Sequence, residues 1–171
     1  IRLAAASDVS LLNDLQAKCV NSNSQVRRQV LAEMARADEW EPWMNDMLLD
    51  LALQADDDRF YLEAISIAAR GREEWLLGKV MDARNYKWDE LTARLAFHLH
   101  PSSAYEPAED ALLRSDLSDD LRELALDTLD AIGTPEAGAR IVASLTHDNV
   151  PAEVRTHALH LLSRDEGDAW R

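Results

Sequence analysis

The sequence predicts an all-α protein, folded as a right-handed α-solenoid of about five antiparallel helix pairs. Two related phrases, Asp-Leu-Ser-Asp-Asp-Leu-Arg ending at Arg122 and Asp-Asn-Val-Pro-Ala-Glu-Val-Arg ending at Arg155, each open an amphipathic helix. A phrase that recurs after about thirty residues is typical of stacked helical pairs. No segment shows the strict alternation of apolar and polar residues that a half-buried strand requires.

The first four predicted helices cover residues 9–20, 25–36, 41–54 and 59–70, each with apolar residues at helical spacing. Pro42 falls in the first turn of the third helix, where its missing N–H is tolerated. The acidic run 56–58 precedes the fourth helix, where a carboxylate can accept free backbone amides. It lacks the alternating ligands and the glycine of a calcium loop, so it predicts a helix cap. Gly71 ends that helix.

The remaining helices are predicted over residues 74–83, 89–99, 107–114, 118–132, 137–145 and 152–163. Pro101 closes the pair before it. Gly133, Thr134 and Pro135 supply a left-handed stop, an N-cap and a first-turn proline in immediate succession. The ten helices make five pairs, and residues 1–171 are predicted to form one repeat domain.

The second helices of the five pairs align in one apolar column. Its starting residues, 30 to 34 positions apart, are Val26, Phe60, Leu91, Leu121 and Val154. The residues four, five and eight positions further on are apolar in every pair. A helix of three to four turns, a tight turn, a second helix and a link account for that spacing. We therefore expect one continuous core shared by neighbouring pairs.

The net charge of the 171-residue chain is −14, from 32 acidic against 18 basic residues. Nucleic acid is disfavoured as a partner, because its affinity for proteins comes mostly from basic groups that displace counterions. No apolar run approaches the length of a membrane span. The start Ile-Arg-Leu and the helix-like sequence of residues 167–171 suggest a piece of a longer protein.

The phrase Val-Arg-x-x-Ala-Leu, followed by a helix, and the Gly-Thr-Pro-Glu-Ala segment resemble bacterial HEAT-like repeats. The resemblance is strongest over residues 117–164. It implies that the arginine after each column start joins an inter-repeat ladder of Arg and Asp. Arg27, Arg122 and Arg155 match that position, whereas Tyr61 and Thr92 replace the arginine in the second and third of the five aligned helices. The ladder is therefore expected to break there.

A shorter segment, from Asp58 to Ala64 with Gly71 to Trp75, is similar to the helical repeat segment of large exported planctomycete-type proteins. Those proteins also carry a dehydrogenase-like propeller and a c-type haem domain. The resemblance implies a linker domain in a periplasmic or exported redox protein; without it, a cytoplasmic location is expected. No Cys-x-x-Cys-His motif occurs in this chain, so no haem-binding residue is assigned.

Candidate chemistry in this sequence is sparse. His157 and His160 could share a metal ion, but no third ligand stands at motif spacing. Some HEAT-like proteins are DNA glycosylases, an alternative that the acidic charge disfavours. We therefore predict a noncatalytic scaffold or protein-interaction module, without catalytic residues, cofactor or metal. Its partners would be a protein or flanking domains of the same chain, with candidate contacts at Trp40, Trp43, Tyr61 and Trp88.

Overall fold

A computed structural model describes residues 16–164 of the chain, and over this range the backbone forms helices and no β-strand. The all-α prediction is confirmed. The helices are α1 (residues 16–20), α2 (Ser24–Ala35), α3 (Pro42–Leu53), α4 (Arg59–Ala68), α5 (Glu73–Ala83), α6 (Glu90–Leu99), α7 (Tyr105–Leu113), α8 (Asp119–Ile132), α9 (Pro135–Leu145) and α10 (Ala152–Arg164), with a 3₁₀ turn at Ser102–Ala104.

The local signals in the sequence act where they were expected. Asp58 caps α4 by accepting from the amides of Phe60 and Tyr61, as the acidic run predicts. Gly133 ends α8 in the left-handed conformation, the Thr134 hydroxyl then accepts from the amide of Ala137, and α9 begins at Pro135. The first predicted helix, residues 9–20, lies largely outside the described residues.

One predicted boundary moves because a proline is tolerated in a first helical turn. Helix α7 begins at Tyr105, directly after the 3₁₀ turn, and takes Pro107 into its own first turn. The 3₁₀ turn itself is held by Glu74, whose carboxylate accepts from the backbone amides of Ser102 and Ser103. These contacts join the start of α5 to the start of α7.

The chain divides into two compact units, with the boundary between Arg70 and Gly71. In the first unit, α2 and α3 pack on each other and both pack against α4. Its core consists of apolar side chains from all three helices and one tyrosine: Leu31, Met34, Leu48, Leu51, Tyr61, Leu62 and Ile65.

In the second unit, the second helices of successive pairs contact one another in chain order: α6 packs against α8, and α8 against α10. The first helices behave alike, since α7 packs against α9. Helices α8 and α9 also pack together, so each pair shares its core with the next one. The fully buried side chains include Leu95, Leu112, Ala125, Leu126, Leu129, Ile141, Val154 and Ala158.

The apolar column is only partly buried. Eight residues after each start, the described side chains are buried in four of the five helices. At the starts themselves the environments differ: Val154 is buried, whereas Val26 and Phe60 are exposed. The apolar residues of the column recur at helical spacing, but that spacing does not show which turns of α2 and α4 are covered by a neighbouring helix.

Candidate functional site

Arg122 is buried in the second unit although it carries a charge; only 3% of the residue is exposed. Its Nη2 donates to the carbonyl of Arg114 at the C-terminal end of α7. Its Nη1 donates over 3.4 Å to the carbonyl of Asn149, in the connection from α9 to α10. The Arg114 carbonyl stands at the end of α7, where the last carbonyls have no intrahelical donor and carry partial negative charge, so the guanidinium satisfies it.

The other two predicted ladder arginines repeat parts of this geometry. Arg155 donates over 2.8 Å to the carbonyl of His147, eight residues earlier, just as Arg122 donates to the carbonyl eight residues before it. Arg27 donates over 3.0 Å to the carbonyl of Gln54, 27 residues later, the separation that also joins Arg122 to Asn149. Equivalent donors therefore reach equivalent acceptors.

The acceptors in this ladder are mainly backbone carbonyls, whereas the family resemblance implies aspartates. The nearest carboxylate to Arg122 is that of Asp119, 3.9 Å away in the first turn of the same helix. That distance is long for a hydrogen-bonded ion pair. The three guanidiniums, of which only that of Arg122 is buried, therefore bond to backbone carbonyls more than to acidic side chains.

Tyr61 keeps the donor role at a position where the sequence predicts a break in the ladder. The side chain is fully buried, and its hydroxyl donates over 2.7 Å to the carbonyl of Leu51 in the last turn of α3. The Arg27 guanidinium lies 4.9 Å above the centre of its ring, a cation–π contact. Burial raises the pKa of Tyr61 to about 12, against the opposing effect of Arg27.

Thr92 occupies the same aligned position on α6 and is also fully buried. In the part of the chain that the structure describes, its hydroxyl donates to no helix-end carbonyl. Its backbone amide instead donates to the capping carboxylate of Asp89. Of the two positions where the sequence predicts a break in the ladder, only Thr92 lacks a side-chain bond to a helix-end carbonyl among the described residues.

The four aromatic residues proposed as partner contacts fall into two groups. Tyr61 and Trp88 are buried, and the indole N–H of Trp88 donates over 3.4 Å to the carbonyl of Leu121. We therefore assign both of them to the core and not to a partner surface, which corrects the prediction for these two residues. Trp40 and Trp43 are half-buried near the start of α3 and keep part of their surface accessible.

An exposed apolar strip crosses α2 and α4 in the first unit, and we call it the α2–α4 strip. It consists of Val26, Phe60 and Ile67, of which Phe60 is 66% exposed. Phe60 and Ile67 are seven residues apart and therefore lie on one face of α4. The contact of Arg27 with Tyr61 sets the first turns of both helices side by side, which brings Val26 to the same region.

The sequence pattern assigned Val26 and Phe60 to the core and so missed this strip. A signal was present in Ile67, which lies seven positions after its column start, where α2, α6 and α8 carry the polar residues Glu33, His98 and Thr128. The charges nearby are locally paired, since Arg59 donates over 2.8 Å to Glu63. What remains for a partner is mainly apolar surface.

A second polar cluster, also not predicted, joins α7 to α9. The guanidinium of Arg140 bonds to the carboxylates of Glu109 and Glu136, and it lies 5.6 Å from the ring centre of Tyr105. The Tyr105 hydroxyl pairs with that of Thr134. Hydrogen bonding to Glu136 raises the pKa of Arg140 above its ordinary value. These side chains join the two first helices, α7 and α9.

The histidine pair does not form a metal site with its neighbours. His157 Nε2 lies 2.7 Å from Asp127 Oδ1, which joins α10 to α8 across thirty residues. Within residues 16–164 there is no group of three or more side chains arranged to hold a metal ion. The same range contains no helix that is both long and apolar enough to span a bilayer.

No protein-family model matches this sequence, and no curated protein or solved structure is significantly similar to it. The HEAT-like resemblance therefore stays a prediction, carried by the residues already named. The site is defined by its geometry alone: a set of arginine bonds to backbone carbonyls, of which only those of Arg122 are buried, and an exposed apolar strip.

Proposed function

We propose that the chain is a noncatalytic scaffold or protein-interaction module built from HEAT-like repeats stacked as a right-handed α-solenoid. Support comes from the repeated hydrogen bonds: two donors reach carbonyls eight residues back, and two reach carbonyls 27 residues ahead. Contacts at constant separation are the mark of equivalent structural units. A single helical pair cannot bury its apolar stripe alone, so stacking of successive pairs produces one core and an extended surface.

The α2–α4 strip is the observation that favours binding over a passive spacer. A spacer needs no exposed apolar residues along its second helices, whereas a binding module needs a persistent patch. Phe60 exposes a large aromatic ring, and aromatic residues are enriched among the few that dominate binding energy. Complete burial of a Phe or Ile side chain is worth about 1.5–3 kcal/mol. Because the side chains of the strip are already partly buried, each would gain only part of that amount, and the strip would bind a protein partner or a flanking domain together with further contacts.

Site-specific photo-crosslinking tests this function. A photoreactive phenylalanine analogue replaces Phe60 in the full protein, produced in the cells that naturally make it. We expect one discrete crosslinked polypeptide segment, identified by mass spectrometry, and its loss when Ile67→Glu is added. The matched control places the analogue at Tyr86, which is 70% exposed and lies in the loop after α5.

The crosslinking pattern distinguishes an interaction module from a passive spacer. A diffuse crosslinking pattern at position 60, indistinguishable from that at position 86, would show that the strip contacts nothing specific. A discrete adduct within the same polypeptide identifies a flanking domain, and an adduct to another polypeptide identifies a separate partner. An adduct to another polypeptide supports an interaction module, whereas an adduct within the same polypeptide supports a structural linker that packs on a flanking domain.

A further inference from the structure

The α2–α4 strip runs along two helices that pack against each other. One turn after Val26 and Phe60 stand Val30 and Ala64, both half-buried, so apolar side chains continue along each helix. Phe60 and Ile67 are seven residues apart, which places them about 10 Å from each other along the axis of α4. The apolar surface is therefore elongated in the direction of a helix axis.

Most recurring modes of peptide recognition do not fit this surface. Strand addition requires the open edge of a sheet, and the described residues contain no β-strand. Recognition of proline-rich segments requires a groove lined by aromatic side chains, and Phe60 is the one aromatic residue of the strip. Recognition of phosphorylated segments requires an arginine cluster, but Arg59 is paired with Glu63 and Arg36 with Glu33. An amphipathic helix, with apolar residues at i, i+3 or i+4, and i+7, matches the strip.

The end of the strip beside Phe60 is acidic. Asp58 caps α4, and Asp56 accepts a hydrogen bond of 3.0 Å from the amide of Asp58. The carboxylate of Asp57 is exposed and bonds to no basic side chain within the described range, while Arg59 is already paired with a carboxylate of α4. A partner that lies along the strip therefore meets unpaired negative charge at this end, which favours a basic residue there.

We propose that the α2–α4 strip binds an amphipathic helix of a separate polypeptide, whose apolar face lies on Val26, Phe60 and Ile67 and whose basic end lies beside Asp57. This inference rests on the proposed function and names the chemistry of its partner. The net charge of −14 attracts a basic helix and repels a second copy of this chain. Complementary charges at the rim of an interface mainly raise the association rate, so Asp57 guides the helix onto the apolar strip.

The spacing of crosslinks tests whether the partner is helical. The photoreactive phenylalanine analogue replaces Phe60 in one variant and Ile67 in another, each in the full protein and in the cells that naturally make it. A helix lying along the strip should be labelled at residues about seven positions apart, whereas an extended segment should be labelled about three positions apart. We expect a spacing of about seven, within one segment of another polypeptide.

Charge reversal tests the acidic end of the strip. Asp57→Lys should lower the crosslinking yield at Phe60 by at least about threefold, because it replaces attraction by repulsion at the basic end of the helix. Asp57→Asn should give an intermediate yield. The matched control, Asp110→Lys, makes the same charge change at an exposed residue of α7 in the second unit and should leave the yield unchanged. Unfolding midpoints from circular dichroism show whether each variant keeps its fold.

Three results would overturn this choice of partner while leaving an interaction at the strip. They are a label spacing of about three, a second copy of this chain as the labelled polypeptide, or equal yields from Asp57→Lys and Asp110→Lys. An adduct within the same polypeptide would also overturn it and would assign the strip to a flanking domain. Diffuse labelling from both positions would reject the proposed function itself, so the two ideas fail in distinguishable ways.

Discussion

Replacing Arg122 with alanine should strongly destabilise the second unit. The guanidinium is almost completely buried and donates to two backbone carbonyls, those of Arg114 and Asn149. Hydrogen bonds from charged groups contribute about 1.5–3 kcal/mol each, and the bond to Asn149 is long, so it should lie at the low end. The expected loss is about 3 kcal/mol, which lowers the unfolding midpoint by roughly 6–12 °C for a protein of this size.

The assay is thermal and urea unfolding followed by circular dichroism, with two comparison variants. Arg94→Ala removes a guanidinium that pairs with Glu90 at the surface of α6, where an ion pair is worth about 0.3–0.5 kcal/mol. Arg122→Lys keeps the charge but not the forked geometry, so it should recover only part of the loss. If Arg122→Ala costs no more than Arg94→Ala, the capping of helix ends by this residue is refuted.

Three further predictions concern single side chains. Arg155→Ala should lower the free energy of unfolding by about 1–2 kcal/mol, less than Arg122→Ala, because only one carbonyl loses its donor. An equal loss for the two variants would show that the number of bonded carbonyls does not set the cost. Tyr61→Phe should cost about 1–2 kcal/mol at neutral pH, because the Leu51 carbonyl loses its donor. It should also remove the loss of stability between about pH 10 and 12, since the raised folded-state pKa of Tyr61 stabilises the protein until the phenol ionises. Tyr86→Phe, on an exposed tyrosine whose hydroxyl donates to Asp82, should cost less at neutral pH. Asp89→Asn should keep the helix cap but reduce the loss of stability at acid pH. Burial opposes ionisation of Asp89, yet bonds from Thr92 and Arg84 hold its pKa below the usual value. The carboxylate therefore stabilises the protein above the unfolded-state pKa, and this stability is lost as pH falls through the folded-state pKa. Urea titrations at pH 2 to 6 measure this, and parallel curves for both proteins would reject it.

The sequence predicts helix positions well because their signals are local. Asp58 as a cap and the series Gly133, Thr134 and Pro135 act through backbone atoms a few residues away, so every boundary in the described range falls within two residues of its prediction. The exposure of Phe60 does not depend on residues close to it in sequence. Its apolar character fits the column, but the arrangement of neighbouring helices determines whether the side chain is covered.

The site is less predictable because its partners are distant in sequence. The alignment marks Arg27, Arg122 and Arg155 as equivalent, but side-chain type gives no indication that their acceptors are carbonyls. Tyr61 differs from arginine in charge and shape and still donates to a helix end. What the position requires is a donor long enough to reach a backbone carbonyl, which Tyr61 supplies and Thr92 does not.

The nature of the acceptors leads to a test that separates two kinds of ladder. An Arg–Asp ladder near the surface is screened by salt, so the cost of Arg122→Ala would fall as ionic strength rises. A buried guanidinium bonded to neutral carbonyls should lose little, because its acceptors are dipoles held within a few ångströms and away from solvent ions. We therefore expect the free-energy cost of Arg122→Ala in urea unfolding to be the same at 0.1 M and 1 M NaCl, to within about 0.5 kcal/mol. A cost that halves at high salt would instead assign the main stabilisation to Asp119, the nearest carboxylate at 3.9 Å.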